Sequence, residues 1–337
     1  MISIRQCFIL TSLWLLITAP CYTLALDTNV GKAKEIARDH NFVIVRPRSG
    51  QSIEDLAQNY LGARNQAWQI RELNNVTADI TGKILAIPLK PGHSASVYSD
   101  GYRTIPVLCY HQFSPGITAK NQLAVSARDF EQQLDYLATN GFQVIPLSQL
   151  EKILAREQAI PPKTVVLTID DGYRSIYTIA YPILKKYNFP ATVFLYTDFV
   201  GGSAALSWKQ LREMQADGLI DIQSHTKTHS SLALTPKDTN ESSYQKRIRS
   251  EIELSESALQ KQLKIRPRYL AYPYGDSSAY TIKSLKKNNY SLALTVERGG
   301  NPSFSNPLLL QRTMIYNNHS LDDFKKFVRS HVKKDLL

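Results

Sequence analysis

The sequence predicts an α/β protein: a mainly parallel sheet with helices outside it, preceded by a small strand–helix–helix–strand unit. Two observations predict this. From Ile105 onward, short apolar runs alternate with stretches of helical periodicity, as expected of strands joined by crossover helices. Ahead of them, residues 42–90 place two amphipathic stretches between two short apolar runs. The length of 337 residues accommodates both parts. With 43% hydrophobic and 20% charged residues the chain can bury a core, which excludes a disordered, collagen-like or polytopic protein.

Residues 1–25 read as a secretory signal peptide. Arg5 precedes a largely apolar run from Cys7 to Ala19, shorter than the ~20 residues of a permanent membrane helix. Thr23-Leu24-Ala25 then offers small residues for cleavage after Ala25. The alternatives are an uncleaved anchor and a lipid on Cys21. The expected location is therefore periplasmic, cell-envelope or extracellular. Cleavage leaves Cys109 alone among three cysteines, so the mature chain has no intramolecular disulfide and no sulfur-based zinc site. Any metal must use His and carboxylates.

In the first unit Phe42-Val43-Ile44-Val45 predicts a strand, and Ser52 is a suitable N-cap for a helix with Ile53, Leu56, Ala57 and Tyr60 on one face. Trp68, Ile70 and Leu73 serve a second helix, and Ile84-Leu85-Ala86-Ile87 closes the unit. With the Ser49-Gly50-Gln51-Ser52 turn, Asn74 and the ending Gly82 to Pro88, the block 42–90 resembles a LysM module. The resemblance implies docking to N-acetylglucosamine-containing glycans in a groove between the turn at Gly50 and Gln51 and the loop at Ala78. A small structural domain without a ligand is the plainer reading. Residues 91–103 are expected as linker.

The later strands are expected at Ile105 to Tyr110, Phe142 to Ile145, Thr164 to Ile169, Ala191 to Tyr196, Leu219 to Gln223, Tyr269 to Tyr272, Ser291 to Val296 and Leu308 to Ile315. Phe130, Leu134, Leu137 and Ala138 mark a helix between the first two. In such folds function gathers where strands end, whether the sheet is open or closed into a barrel. Three polar signatures lie there. Asp170-Asp171-Gly172-Tyr173 follows one run; two adjacent carboxylates at a buried strand end call for a compensating cation, although the same residues also make a good surface turn. Ser224-His225-Thr226-Lys227-Thr228-His229 follows another. Two His and an acidic residue suit a three-ligand metal site with open positions, with Asp171, His225 and His229 as ligands. Ala271-Tyr272-Pro273-Tyr274-Gly275-Asp276 is the third, which alone could be a Pro-Gly turn.

In this order and spacing the three segments resemble the polysaccharide deacetylase family (NodB homology, carbohydrate esterase family 4), over roughly Ile105 to Val328. The resemblance implies a distorted (β/α) barrel catalytic domain over residues 104–332. It implies that Asp170 is the general base, that Asp171, His225 and His229 bind a divalent metal, Zn²⁺ by preference, and that Pro273 and the Tyr274 N–H lie beside the substrate oxyanion.

Two departures from the family pattern matter. Its third motif commonly begins with an Arg that pairs with the catalytic carboxylate, and Ala271 holds that place here; Arg312, at the last strand, is the candidate substitute. No Leu-x-His segment supplies a general acid near the C-terminal strand. Of seven His, His111 and His319 remain for that role, with His111 preferred because it follows the strand ending at Tyr110, in a Tyr-His pair usual in the branch acting on extracellular poly-N-acetylglucosamine.

The sequence therefore reads as an exported, metal-dependent N-deacetylase of an N-acetylglucosamine polymer. Peptidoglycan is favoured by the LysM resemblance and an exopolysaccharide by Tyr110-His111. De-O-acetylation on the same site and a catalytically silent glycan-binding envelope protein are the alternatives. The net charge of +11 first suggests nucleic acid, but export and the acidic pair oppose that. Residues 233–337 carry 18 Lys+Arg against 10 Asp+Glu, including Lys325, Lys326, Lys333 and Lys334. The excess is thus a local basic region that could attract anionic envelope polymers or simply be solvated surface.

Overall fold

The computed structural model describes residues 32–39, 42–77, 79–89, 96–98, 101–116, 121–155 and 157–333. The expected signal peptide, its cleavage after Ala25, Cys21, Ala78 and Lys334 lie outside them. The chain divides into two compact units, residues 1–92 and 93–337.

The first unit is a three-stranded antiparallel sheet with two helices. β1 (Lys34–Arg38) pairs with β2 (Phe42–Arg46), and β2 with β3 (Leu85–Pro88). Between them run α1 (Ile53–Leu61) and α2 (Ala67–Asn74). Ser52 caps α1: its side chain accepts from the Asp55 N–H, and Asp55 reaches back to the Ser52 N–H. Ile53, Leu56 and Ala57 pack with Ile70, Val43, Val45, Leu85 and Ile87 in one core. Asn74 ties α2 to β3, donating to the Ala86 carbonyl and accepting from the Ala86 N–H. β1 extends the unit beyond the expected start at residue 42; its residues are exposed, so no apolar alternation announces it.

The second unit is built on a parallel sheet. Its strands are β4 (Ile105–Tyr110), β5 (Thr164–Ile169), β6 (Ala191–Leu195), β7 (Ile220–Ser224), β8 (Tyr269–Ala271) and β9 (Leu292–Leu294), neighbours in that order. Residues 307–315 link the two edges: Leu310 exchanges hydrogen bonds with Ala293 and Thr295 on one side, and β10 (Thr313–Met314) pairs with β4 on the other. The sheet is therefore strongly curled. Helices α3 (Ala127–Thr139), α4 (Leu147–Leu154), α5 (Tyr181–Tyr187), α6 (Trp208–Ala216), α7 (Glu241–Leu263), α8 (Ala279–Lys287) and α9 (Leu321–Phe327) accompany it.

Strand residues alternate between two cores, as the period of two requires. Leu108, Tyr110, Val165, Leu167, Ile169, Val193, Leu195, Ile220 and Ile222 face one apolar cluster with α3, α5 and α6. Ile105, Val107, Val166, Phe194, Tyr269, Ala271 and Leu310 face the other, with Leu147, Leu150 and Ile153 of α4.

Two expectations are corrected. Ala138 is exposed, and the fourth buried place on α3 belongs to Gln133, which accepts a 2.7 Å hydrogen bond from the Tyr110 hydroxyl. Part of the expected linker 91–103 belongs to the second unit. Gly101–Arg103 pairs with His331–Lys333, and the buried Ser96 hydroxyl accepts from the Ile160 N–H. In the basic region Lys325 and Lys326 pair with Asp322 and Asp323 on α9, which reduces their reach toward an outside anion.

Candidate active site

The inward columns of β4, β5 and β7 end in polar residues. Val107 leads to Cys109 and His111; Val166 to Thr168 and Asp170; Asp221 to Gln223 and His225. The two-residue period thus brings His111, Asp170 and His225 to one end of the sheet.

Arg312 lies in the segment that links the sheet edges, fully buried with its guanidinium over the Phe194 ring. It donates to both oxygens of Asp170, at 2.8 and 2.7 Å, and to the Thr295 carbonyl. Burial alone would raise the Asp170 carboxyl, but Arg312 and then His225 outweigh it and hold the group well below the usual carboxylate range. The Cys109 thiol also approaches Asp170 Oδ2, at 3.5 Å, and its burial pushes it well above the ordinary thiol range. Ala271, where the family commonly has Arg, instead supplies a carbonyl to His225 Nδ1 at 2.7 Å.

That carbonyl can only accept, so His225 carries its proton on Nδ1 and turns the lone pair of Nε2 toward Asp171 and His229. Asp171 Oδ1 lies 3.6 Å from His225 Nε2 and 3.4 Å from His229 Nε2, and the two Nε2 atoms are 3.1 Å apart. Donors about 2.0–2.2 Å from a tetrahedral cation stand roughly 3.3–3.6 Å from one another, so this set fits a divalent metal. Its electrostatics fit as well. Burial, and then the neighbouring Asp170 charge, pushes Asp171 up to about 7, while burial draws His225 down to about 3 and lowers His229. A cation would relieve the buried carboxylate and meet neutral imidazoles.

Four residues around this centre have left-handed backbones without being glycine: Asp171 (φ 73°), Thr226 (φ 72°), His229 (φ 63°) and Tyr274 (φ 62°). Such conformations persist where surrounding contacts impose them, and they gather at functional sites. Next to Tyr274, Gly275 has φ 80°, and a Cβ there would lie 2.7 Å from Val296 Cγ2. Pro273 is buried, whereas Tyr274 is 65% exposed and its ring stands edge-on to His229 at 4.8 Å.

His111 is buried beside Cys109 and Asp170; one ligand-type atom of each lies within 4.8 Å of the others. Its Nδ1 has no hydrogen-bond partner. Arg312 donates to both Asp170 oxygens in this second cluster. Burial lowers the His111 pKa. His319 sits apart from these groups: its Nδ1 accepts from the Tyr316 N–H, and its ring packs on Tyr316 and Phe327. Gly50 and Gln51 belong to the other unit, where Gly50 has φ 77° and the Gln51 side chain accepts from the Arg48 N–H. Gln51 also lines a shallow hollow of about 330 Å³ with Asp55, Gln58, Asn59 and Arg64.

The sequence reading overlooked Glu251. It lies on α7 between Ile248 and Ile252, only 5% exposed, and accepts from the Lys227 N–H at 3.0 Å and from the Thr228 N–H and hydroxyl at 2.8 and 2.6 Å. The available signal was a carboxylate within the helical stripe of Tyr244, Ile248, Ile252 and Leu259.

A family model described as polysaccharide deacetylase matches residues 157–293, which include the Asp170-Asp171 pair, both ligand-type His and Tyr274 but neither His111 nor Arg312. The putative polysaccharide deacetylase YxkH of Bacillus subtilis is 30% identical over 238 residues, 70% of this chain and 80% of that protein. Poly-β-1,6-N-acetyl-D-glucosamine N-deacetylase of Staphylococcus epidermidis is 31% identical over 200 residues, 58% of this chain and 69% of that protein. The Escherichia coli K12 enzyme of the same name is 26% identical over 252 residues, 64% of this chain but only 37% of its own length. The structure of IcaB from Ammonifex degensii superposes with a TM-score of 0.60 at 30% identity, over 68% of this chain and 98% of that one. By its shared motifs and its match across most of the Bacillus relative, the chain belongs to the polysaccharide deacetylase family.

Proposed function

We propose that the protein is a metal-dependent hydrolase that removes N-acetyl groups from an N-acetylglucosamine polymer, with poly-β-1,6-N-acetyl-D-glucosamine favoured over peptidoglycan. The observation that carries this reading is a buried carboxylate clamped by Arg312 beside three convergent metal-type donors. The substrate preference draws on the names of the Staphylococcus and Escherichia relatives. Asp171, His225 and His229 hold a divalent cation, for which their oxygen and nitrogen donors fit zinc. When bound, that cation supplies Lewis-acid polarisation of the acetyl carbonyl and acidifies water.

The chain's own groups then move the protons. Asp170, kept ionised by Arg312, takes a proton from the attacking water as the new C–O bond forms. The N–H of Tyr274, beside Pro273, donates to the developing oxyanion. His111 gives a proton to the sugar nitrogen as the C–N bond breaks, releasing acetate and a free amine. Each positioned acid or base is worth about 10²–10⁴ in rate.

The first unit, through Gly50, Gln51 and Ala78, docks the same class of glycan, and the signal peptide delivers the enzyme to the envelope or beyond. The test is acetate release by zinc- or cobalt-supplemented protein from poly-β-1,6-N-acetyl-D-glucosamine and from peptidoglycan. Faster release from the former is expected. Bound metal with no acetate from either would return the silent glycan-binding reading.

A further inference from the structure

We infer that Glu251 is a positioning residue that sets the loop carrying His229, and hence the affinity of the site for its cation. The inference rests on the proposed ligand roles of Asp171, His225 and His229.

The loop from Ser224 to His229 carries two of the three ligands through left-handed conformations at Thr226 and His229. Such conformations are unfavourable for a non-glycine residue, so the loop needs outside support to hold this shape. Within the loop, the Ser224 hydroxyl accepts from the Thr226 N–H and the Thr226 hydroxyl from the His229 N–H, both at 3.2 Å.

Outside the loop, the Thr197 and Asp198 N–H groups donate to the Thr226 and Lys227 carbonyls, at 3.2 and 3.0 Å, and one face of α7 holds the loop from the other direction. Ser255 shares a 2.9 Å hydrogen bond with Ser224 at the start of the loop. Glu251, one turn earlier, takes three hydrogen bonds from Lys227 and Thr228, immediately before His229. His225 has a second anchor in the Ala271 carbonyl. Glu251 is therefore the contact through which α7 fixes the His229 end. Its oxygens hydrogen-bond to the loop and not to the ligand atoms or the acid–base pair, and its charge is also felt by the His229 ring, so it reaches the metal set through the backbone and through its field.

Cobalt affinity of the metal-free protein, measured by chelator competition, tests the inference without turnover. Glu251→Leu fills similar space with no acceptor and is expected to weaken Co²⁺ binding by about 10–100-fold, as loss of supporting groups around metal ligands typically does. Glu251→Gln can accept both N–H groups on its oxygen and donate to the Thr228 hydroxyl, so it is expected to stay within about threefold of the parent. A role in packing alone would lower folding stability and leave Co²⁺ affinity in place. Parental affinity in Glu251→Leu, or equal losses in Leu and Gln, would overturn the inference.

If Glu251→Leu does not fold, Thr228→Val at the exposed end of the network decides: a loss of about threefold or more supports the role, and no loss refutes it. Failure of the parent protein to bind Co²⁺ would instead refute the ligand assignment itself.

Discussion

Arg312 clamps both oxygens of Asp170 from 142 residues further along the chain, in a pair with no access to solvent. Removing one partner of a buried pair strands the other's charge, at a typical cost of about 3–5 kcal/mol. Arg312→Met is expected to lower unfolding free energy by that amount and to reduce turnover strongly. The double variant Asp170→Asn, Arg312→Met is expected to recover part of the stability and none of the activity. Denaturant titration of the single and double variants checks this; simple additivity would contradict the pairing.

Metal binding is expected to depend on pH through one proton. Burial and the Asp170 charge raise the Asp171 carboxyl to about 7 in the metal-free protein, and a cation must displace that proton. The sign is fixed: affinity rises with pH up to about 7, by up to about tenfold per unit, and flattens above it. Both imidazoles sit below their ordinary range, so they add little to the slope near neutrality. Zinc or cobalt affinity measured between pH 5.5 and 8.5 checks this, and Asp171→Asn should flatten the curve while weakening binding.

His111 and His319 should separate cleanly. His111→Ala is expected to keep bound metal and lose about 10²–10⁴ in turnover, whereas His319→Ala keeps both. Metal content and acetate release measured on each variant decide between them; equal turnover in the two would remove His111 from the general-acid role.

The Cys109 thiol is fully buried against Asp170, with its pKa pushed up by burial. Reactivity needs thiolate and access, and both are denied here. Protein lacking residues 1–25 is expected to show almost no reaction with a thiol reagent when native and one thiol per chain after unfolding. Rapid labelling of the native protein would contradict this burial.

Much of the site was legible because strand period and chemistry coincide. Val107, Cys109 and His111 share one face of a strand, as do Val166, Thr168 and Asp170, so apolar runs ending in polar residues located both columns. Arg312 was legible only through the family pattern, in which an Arg pairs with the catalytic carboxylate and whose usual place is held here by Ala271. The last strand was expected over Leu308 to Ile315, but only Thr313–Met314 is regular, because the chain there crosses from one sheet edge to the other.

What the sequence hid depends on three-dimensional neighbours. The left-handed backbones at Asp171, Thr226, His229 and Tyr274 leave no mark on residue type, since none is glycine. Glu251 resembles the other charges of a long helix until the loop above it is seen. Gln133 replaces an expected apolar contact because the Tyr110 hydroxyl needs an acceptor in the core.

Acetate release from poly-β-1,6-N-acetyl-D-glucosamine by protein loaded with one equivalent of metal, beside Asp170→Asn loaded to the same extent, tests the central claim most directly. The parent is expected to release acetate in step with new free amines, and Asp170→Asn to retain its metal and release acetate at least about 10²-fold more slowly. Equal release by the two proteins, or none by the fully loaded parent, would contradict the account.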